Sequence, residues 1–175
     1  ALIQIAWVPE GTLEKQELVL VDPLGLDVSV LGRLFATDAL CVIHAAQQDL
    51  DVLTHSVGAV PQRLFDTQIA GGFLGYGTPS LVSLLQGELS IAPPKGDRLT
   101  DWLHRPLTEN QCQYAASDVE YLLDVHDRLV AKLDTRGRLE WAEAACEELR
   151  TRPVSGAEAT GGSCSCASAS TSGWA

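Results

Sequence analysis

Leu40-Cys41-Val42-Ile43-His44-Ala45-Ala46-Gln47-Gln48-Asp49-Leu50-Asp51-Val52-Leu53 changes periodicity partway along. Residues 40–44 read as a short apolar strand, and residues 46–57 follow helical spacing until Gly58, which suits a helix end. A buried strand feeding a helix is the unit of α/β folds, and the neighbouring segments carry further strand and helix patterns. Upstream, residues 2–8 alternate as a strand and residues 17–21 as a second, with a Pro-Glu-Gly turn between them. Asp27 is placed to cap a helix over 28–35. Downstream, Leu64 and Phe65 lead into Asp66, an N-cap for a segment running through residue 74. Thr78-Pro79 opens a helix over 80–86, with proline expected at the first helical position. Residues 88–106 are rich in proline and glycine and read as loop. Thr108-Glu109-Asn110-Gln111 is a capping box for one long helix of about 109–134, and a last amphipathic helix covers 138–149. The expected fold is α/β, with helices flanking a mixed sheet.

The chain has 175 residues, 46% of them hydrophobic, enough for one domain with a core and too few for two ordinary ones. Domain limits of 1–150 follow. From Thr151 to residue 175 the sequence is Ser-, Gly- and Ala-rich with little to bury, and a disordered tail is expected. No apolar run approaches the roughly 20 residues that cross a bilayer, so no membrane contact is expected. Twelve basic against twenty-three acidic residues give a formal charge of −11, which argues against indiscriminate coating of nucleic acid. Cys41, Cys112 and Cys146 stand singly and read as buried thiols of a reduced, cytoplasmic chain. Cys164 and Cys166 make only a weak soft-metal signal.

Two segments carry chemistry. In the first, Tyr114 and Asp118 are four residues apart, on one face of the expected long helix, beside an apolar stripe of Ala115, Val119, Leu122, Leu129 and Leu133. That spacing lets a phenol hold a water beside a carboxylate-bound metal; a packed tyrosine and a solvated aspartate fit it as well. In the second, His44 ends a strand and Asp49 lies one turn into the next helix, where α/β folds assemble sites at strand ends. Asp49 and Asp51 also fit a solvated helix face.

Together these segments resemble the ribonuclease D family. His44-Ala45-Ala46-x-x-Asp49-Leu50-x-x-Leu53 is similar to its second exonuclease motif. Tyr114-Ala115-Ala116-Ser117-Asp118-Val119-Glu120-Tyr121-Leu122-Leu123 is similar to its third, in the tyrosine-containing form. Residues 65–70, 74–77, Lys95 and 100–107 are similar to the linking segments, so the likeness covers about 1–150. The resemblance implies a ribonuclease H-like fold and removal of nucleotides from single-stranded RNA 3′ ends, as in tRNA 3′ processing, with DNA possible. It implies two divalent metal ions, Mg²⁺ or Mn²⁺, whose work is to activate a water and stabilise the leaving oxygen. Asp118 and Asp49 then resemble metal ligands and Tyr114 the phenol that orients the water. Lys95 resembles a residue that approaches the scissile phosphate or terminal nucleotide. Trp102 and Arg105 are expected to fix the loop before the catalytic helix and to border the substrate, with His44 and Gln48 at the entry. Asp66 is expected as a cap, not a ligand. No obligate protein partner is indicated.

The chain departs from the family pattern at its start. The family's first motif, a strand with Asp-x-Glu before the Leu2-Ile3-Gln4-Ile5 strand, has no counterpart, so the sheet is expected to lack its first strand and residues 2–8 to keep an open edge. Poor metal binding and weak activity of these residues alone follow. A catalytically dead exonuclease fold that binds nucleic acid or protein is the alternative.

Overall fold

In a computed structural model the described residues are 2–9, 16–92 and 100–153. The first pair of strands, β1 (Ile3–Trp7) and β2 (Glu17–Val21), is antiparallel, with Ile3 opposite Val21 and Trp7 opposite Glu17. Asp27 accepts from the Ser29 backbone N–H and starts a 3₁₀ turn, Val28–Val30, that continues as α1 (Leu31–Phe35). The second pair, β3 (Leu40–Ile43) and β4 (Arg63–Asp66), is parallel and is joined through α2 (Gln47–Ser56). These two ladders are not hydrogen-bonded to each other, and β1 pairs only with β2 among the described residues. The mixed character of the sheet is thus present as two separate two-stranded ladders.

The helical layer follows. Asp66 ends β4 and caps α3 (Thr67–Gly71). The helix expected through residue 74 ends earlier and widens into a π-turn, Gly72–Tyr76, that Gly75 leaves at φ +99°, a conformation glycine adopts without a Cβ penalty. Gly71 permits close packing: a Cβ there would stand 2.9 Å from Pro79 Cγ and 3.0 Å from Leu84 Cδ2. Ser80 is the N-cap of α4 (Leu81–Leu84), so Pro79 precedes the cap instead of opening the helix, and a second π-turn, Leu85–Leu89, extends the element past residue 86.

The expected helix over 109–134 is two helices. α5 (Glu109–Ser117) starts at the Thr108–Gln111 capping box, with both reciprocal bonds formed. It stops where Ser117 Oγ donates to the Tyr114 carbonyl at 2.7 Å. The Asp118 and Val119 N–H groups bond three residues back, to Ala115 and Ala116, tightening the chain into a turn. The chain resumes as α6 (Leu122–Thr135), and α7 (Leu139–Thr151) follows Gly137 at φ +62°.

The principal core joins Phe65, Ala70, Leu84, Leu85, Val125, Leu129, Leu133 and Ala142, and a second cluster joins Ala46, Leu50, Leu64 and Leu149. Each fully buried leucine contributes roughly 1.5–3 kcal/mol. Val119, expected on the apolar stripe, is only half-buried because the helix breaks beside it, while Val125 is fully buried. Of the cysteines, Cys146 is buried, while Cys41 and Cys112 are only half-buried. The expected tail from Thr151 lies outside the described residues beyond residue 153. No described helix is long and apolar enough to cross a membrane.

Candidate active site

The junction of β3, β4, α2 and α3 is organised by one buried carboxylate. Asp66 is 1% exposed. Its Oδ2 accepts from the Ala46 N–H at 2.8 Å, and its Oδ1 from Ala45 at 3.1 Å and Gln68 at 2.7 Å, with Ile69 at 3.4 Å. The side chain therefore satisfies N–H groups at the starts of two helices, where the partial positive charge favours an anion. Asp66 is a cap, as expected from sequence; its reach to residues 45 and 46 was not legible, because it joins segments twenty residues apart. The Ala45 backbone, at φ +57°, makes the sharp turn from strand to helix that aims those N–H groups inward.

This clamp positions His44 and Asp49. His44 is half-buried, with Nδ1 2.9 Å from Thr67 Oγ1. Burial lowers its pKa, opposed by the Asp66 charge, so the imidazole is biased to its neutral form. Asp49 stands in the first turn of α2, and Gln48 beside it is exposed. Solvent reaches the Asp49 side chain, but the surrounding protein still desolvates the carboxyl. That desolvation, with the Asp66 charge adding repulsion, raises its pKa.

The second part of the site lies on α5 and the turn after it. Tyr114 is half-buried, its ring 6.0 Å from that of Trp102. Asp118 is half-buried at the C-cap of α5, at the head of the turn leading into α6, rather than within a continuous helix. Gln16 Nε2 donates to the Glu120 carbonyl at 2.9 Å, tying this turn to the foot of β2.

Arg105 forms a bidentate ion pair with Asp22, the longer contact being 3.1 Å, and donates to the Trp102 and His104 carbonyls at 2.9 Å. The guanidinium holds the Asp22 carboxyl below its ordinary pKa. Arg105 therefore ties the loop before α5 to Asp22, just past β2, while Trp102 lies against Tyr114 of α5 and accepts from Arg105 through its carbonyl, as their anchoring roles require. Their Asp22 partner was missed, since nothing local in the sequence marks it. Lys95 lies outside the described residues.

Asp49 and Asp118 are donors of the type magnesium prefers. In number they fall short: no group of three or more His, Cys, Asp or Glu side chains that could hold a metal ion occurs among the described residues. The residues described fit a divalent cation in kind but do not complete a centre for it.

The sequence pattern of a 3′–5′ exonuclease domain matches residues 1–134. Ribonuclease D of Escherichia coli K12 is 39% identical over 141 residues, which is 77% of this chain and 36% of that protein. Ribonuclease D of Xanthomonas oryzae is 39% identical over 142 residues, 77% of this chain and 38% of that protein. The chain thus spans little more than a third of the curated relatives it matches. Among solved structures, Escherichia coli RNase D, described as an exoribonuclease involved in structured RNA processing, aligns with a TM-score of 0.73 at 34% identity, over 84% of this chain and 39% of that one. Brucella melitensis NrnC with bound Mg²⁺ aligns at 0.67 and 28% identity, over 81% of this chain and 69% of that one. These neighbours agree with the ribonuclease H-like fold expected from sequence.

Proposed function

This chain belongs to the 3′–5′ exonuclease family, and on that premise we propose that it is the nuclease domain of a 3′–5′ exoribonuclease of the ribonuclease D type. Its substrate is the single-stranded 3′ end of an RNA, of the kind trimmed in tRNA maturation, and its place of work is the cytoplasm. What supports this reading most is the presence of two acidic segments on separate elements: Asp49 just past β3, and Tyr114 with Asp118 at the end of α5.

Asp118 and Asp49 are the residues that would hold the divalent ions. Those ions, Mg²⁺ or Mn²⁺, would supply charge stabilisation on the phosphate and an acidified water. The residues' own parts follow from their chemistry. The Tyr114 hydroxyl accepts and donates hydrogen bonds, so it can fix the orientation of a water between itself and the Asp118 carboxylate. The raised pKa of Asp49 reflects desolvation first and the Asp66 charge second, and a neighbouring cation would offset both. Trp102, packed on Tyr114, keeps the phenol in place. His44, biased to neutrality, borders the entry with Gln48 without adding charge, and Lys95 is assigned to the scissile phosphate.

The decisive experiment measures trimming of a 3′-single-stranded RNA with Mg²⁺, using protein extended to the length of its relatives. Asp118→Asn is expected to lower the rate on the order of 10³-fold. Undiminished trimming by that variant removes Asp118 from the mechanism. Running the matching DNA strand in parallel decides the sugar preference, since a site built for RNA contacts the 2′-hydroxyl.

A second reading rests on one observation: the incomplete set of metal donors among the described residues. It makes residues 1–175 a binding module on an exonuclease fold, with weak activity of their own. RNA retention on this chain that is tight without divalent metal, and no trimming with it, supports that reading.

A further inference from the structure

Basic residues are scarce in this chain and unevenly placed: of twelve, four fall between residues 128 and 138. On α6, Arg128, Lys132 and Arg136 recur every four residues and so form one stripe, about one helical turn apart. The core-facing stripe of Leu122, Val125, Leu129 and Leu133 lies beside it. Asp127 and Asp134 fall on the other side of the helix. Arg138, just past Gly137, extends the line.

These side chains are held in place by the chain beneath them. Arg136 donates to the Leu74 carbonyl at 3.1 Å and Arg138 to the Phe73 carbonyl at 2.8 Å, both in the π-turn after α3. Lys132 reaches Glu88 at 2.6 Å while remaining 49% exposed; the Glu88 side chain is buried beneath it. Tyr76 donates to the other Glu88 oxygen at 2.6 Å. That bond, with burial and the Glu88 charge, pushes the Tyr76 phenol up to about 12, so it adds no negative charge. Burial opposes ionisation of Glu88, but the Lys132 and Tyr76 bonds prevail and hold its pKa below the ordinary value. Leu74, Gly75, Tyr76, Glu88, Lys132 and Arg136 enclose an open cleft of about 230 Å³ along this line. Arg128 is exposed and enters no ion pair among the described residues.

The result is a net positive, pre-ordered ridge on a chain that is otherwise strongly acidic. A flexible polyanion with regularly spaced charges is the ligand that suits such a row, because each cation displaces a counterion at low ordering cost. We propose that Arg128, Lys132, Arg136 and Arg138 form a track for the sugar–phosphate backbone of single-stranded nucleic acid, apart from the nucleotides at the reacting end. It rests on the reading above only in taking nucleic acid as the ligand. The stripe begins ten residues beyond Asp118, on α6, so a trinucleotide held at the site would meet at most its near end, whereas a longer strand could follow it.

The test is fluorescence anisotropy of the full 175-residue chain with a labelled 20-nucleotide oligouridylate and with a trinucleotide, without divalent metal, over a range of salt. Arg128→Glu is expected to weaken 20-mer binding about tenfold and to flatten the salt dependence by roughly 0.7 in log–log slope, the share of one phosphate contact. Arg128→Lys should bind within about twofold of the parent, since phosphate accepts a point charge. Trinucleotide binding should weaken far less than 20-mer binding. The Arg128 charge also helps to keep Glu88 ionised, so a thermal melt of Arg128→Glu checks that the variant is folded, and Arg128→Lys keeps that charge. Parent-like 20-mer affinity and slope in Arg128→Glu overturns the track, as does equal weakening for the trinucleotide. Absence of trimming by any extended form of the protein counts against the exonuclease reading and leaves the track standing.

Discussion

The two halves of the candidate site are built on different foundations. Asp49 and His44 hang from the β3–β4 ladder, where Leu50, Leu64 and Phe65 belong to the buried clusters and Asp66 closes two helix ends. Tyr114 and Asp118 belong to α5, whose main neighbour is β2, and neither α5 nor the β1–β2 ladder contributes to a buried cluster. Polar ties do much of that work instead: Arg105 with Asp22, Gln16 with the Glu120 carbonyl, and Gln111 with Thr100 and the Asp101 carbonyl. Apolar burial is cooperative and hard to lose piecemeal, whereas separate hydrogen bonds can be lost one by one.

The largest effect should come from breaking the first foundation. Asp66→Ala leaves several buried N–H groups without an acceptor and should cost about 3 kcal/mol or more in urea denaturation, or leave no folded protein. A loss below about 1 kcal/mol would mean that water replaces the carboxylate and that the clamp is not what orders α2. On the second foundation, Thr108→Ala removes the cap of α5 and should cost about 1 kcal/mol. The sharper expectation is local: amide exchange should quicken across α5 while the α6 core amides are spared. Uniform acceleration would show the halves to be one cooperative unit.

The smallest effect concerns charge. The Asp49 pKa is raised from 3.8, so the folded state holds its proton more tightly than the unfolded chain does. Stability therefore falls as pH rises from below 3.8 through the folded value, and the penalty is fully present at neutral pH. Asp49→Asn should melt no lower than the parent at pH 7 without metal, and its melting temperature relative to the parent's should rise between acid and neutral pH. A lower melting temperature for the variant would show that the carboxylate makes a favourable contact in the α2 turn that outweighs the repulsion.

Local signals in the sequence were reliable where the physics is local. Asp27, Asp66 and Thr108 all cap the elements they were expected to cap. The motif containing Asp49 was legible because a strand-to-helix transition changes periodicity. The break after Ser117 was not legible, since residues 109–134 keep a helical rhythm across it and only the Ser117 side-chain bond reveals the competition. Pro79 was misplaced by two positions because Ser80, a better cap, follows it and Leu81 opens the helix. The widened turns at Gly72–Tyr76 and Leu85–Leu89 depend on packing of Gly71 against Leu84, which no local rule encodes. The partnerships of Arg105 with Asp22 and of Asp66 with Ala46 depend on tertiary contact alone.

The break between α5 and α6 has a mechanical consequence. A single rigid rod from residue 109 to 134 would transmit every displacement of its first turn into the centre of the core. With the turn at 118–121, α6 is anchored by Val125, Leu129 and Leu133, while α5 packs on β2, so the core does not hold α5 directly. Asp118 sits at that joint. The placement of one acidic arm relative to the other then rests on a few surface bonds rather than on the strength of the interior.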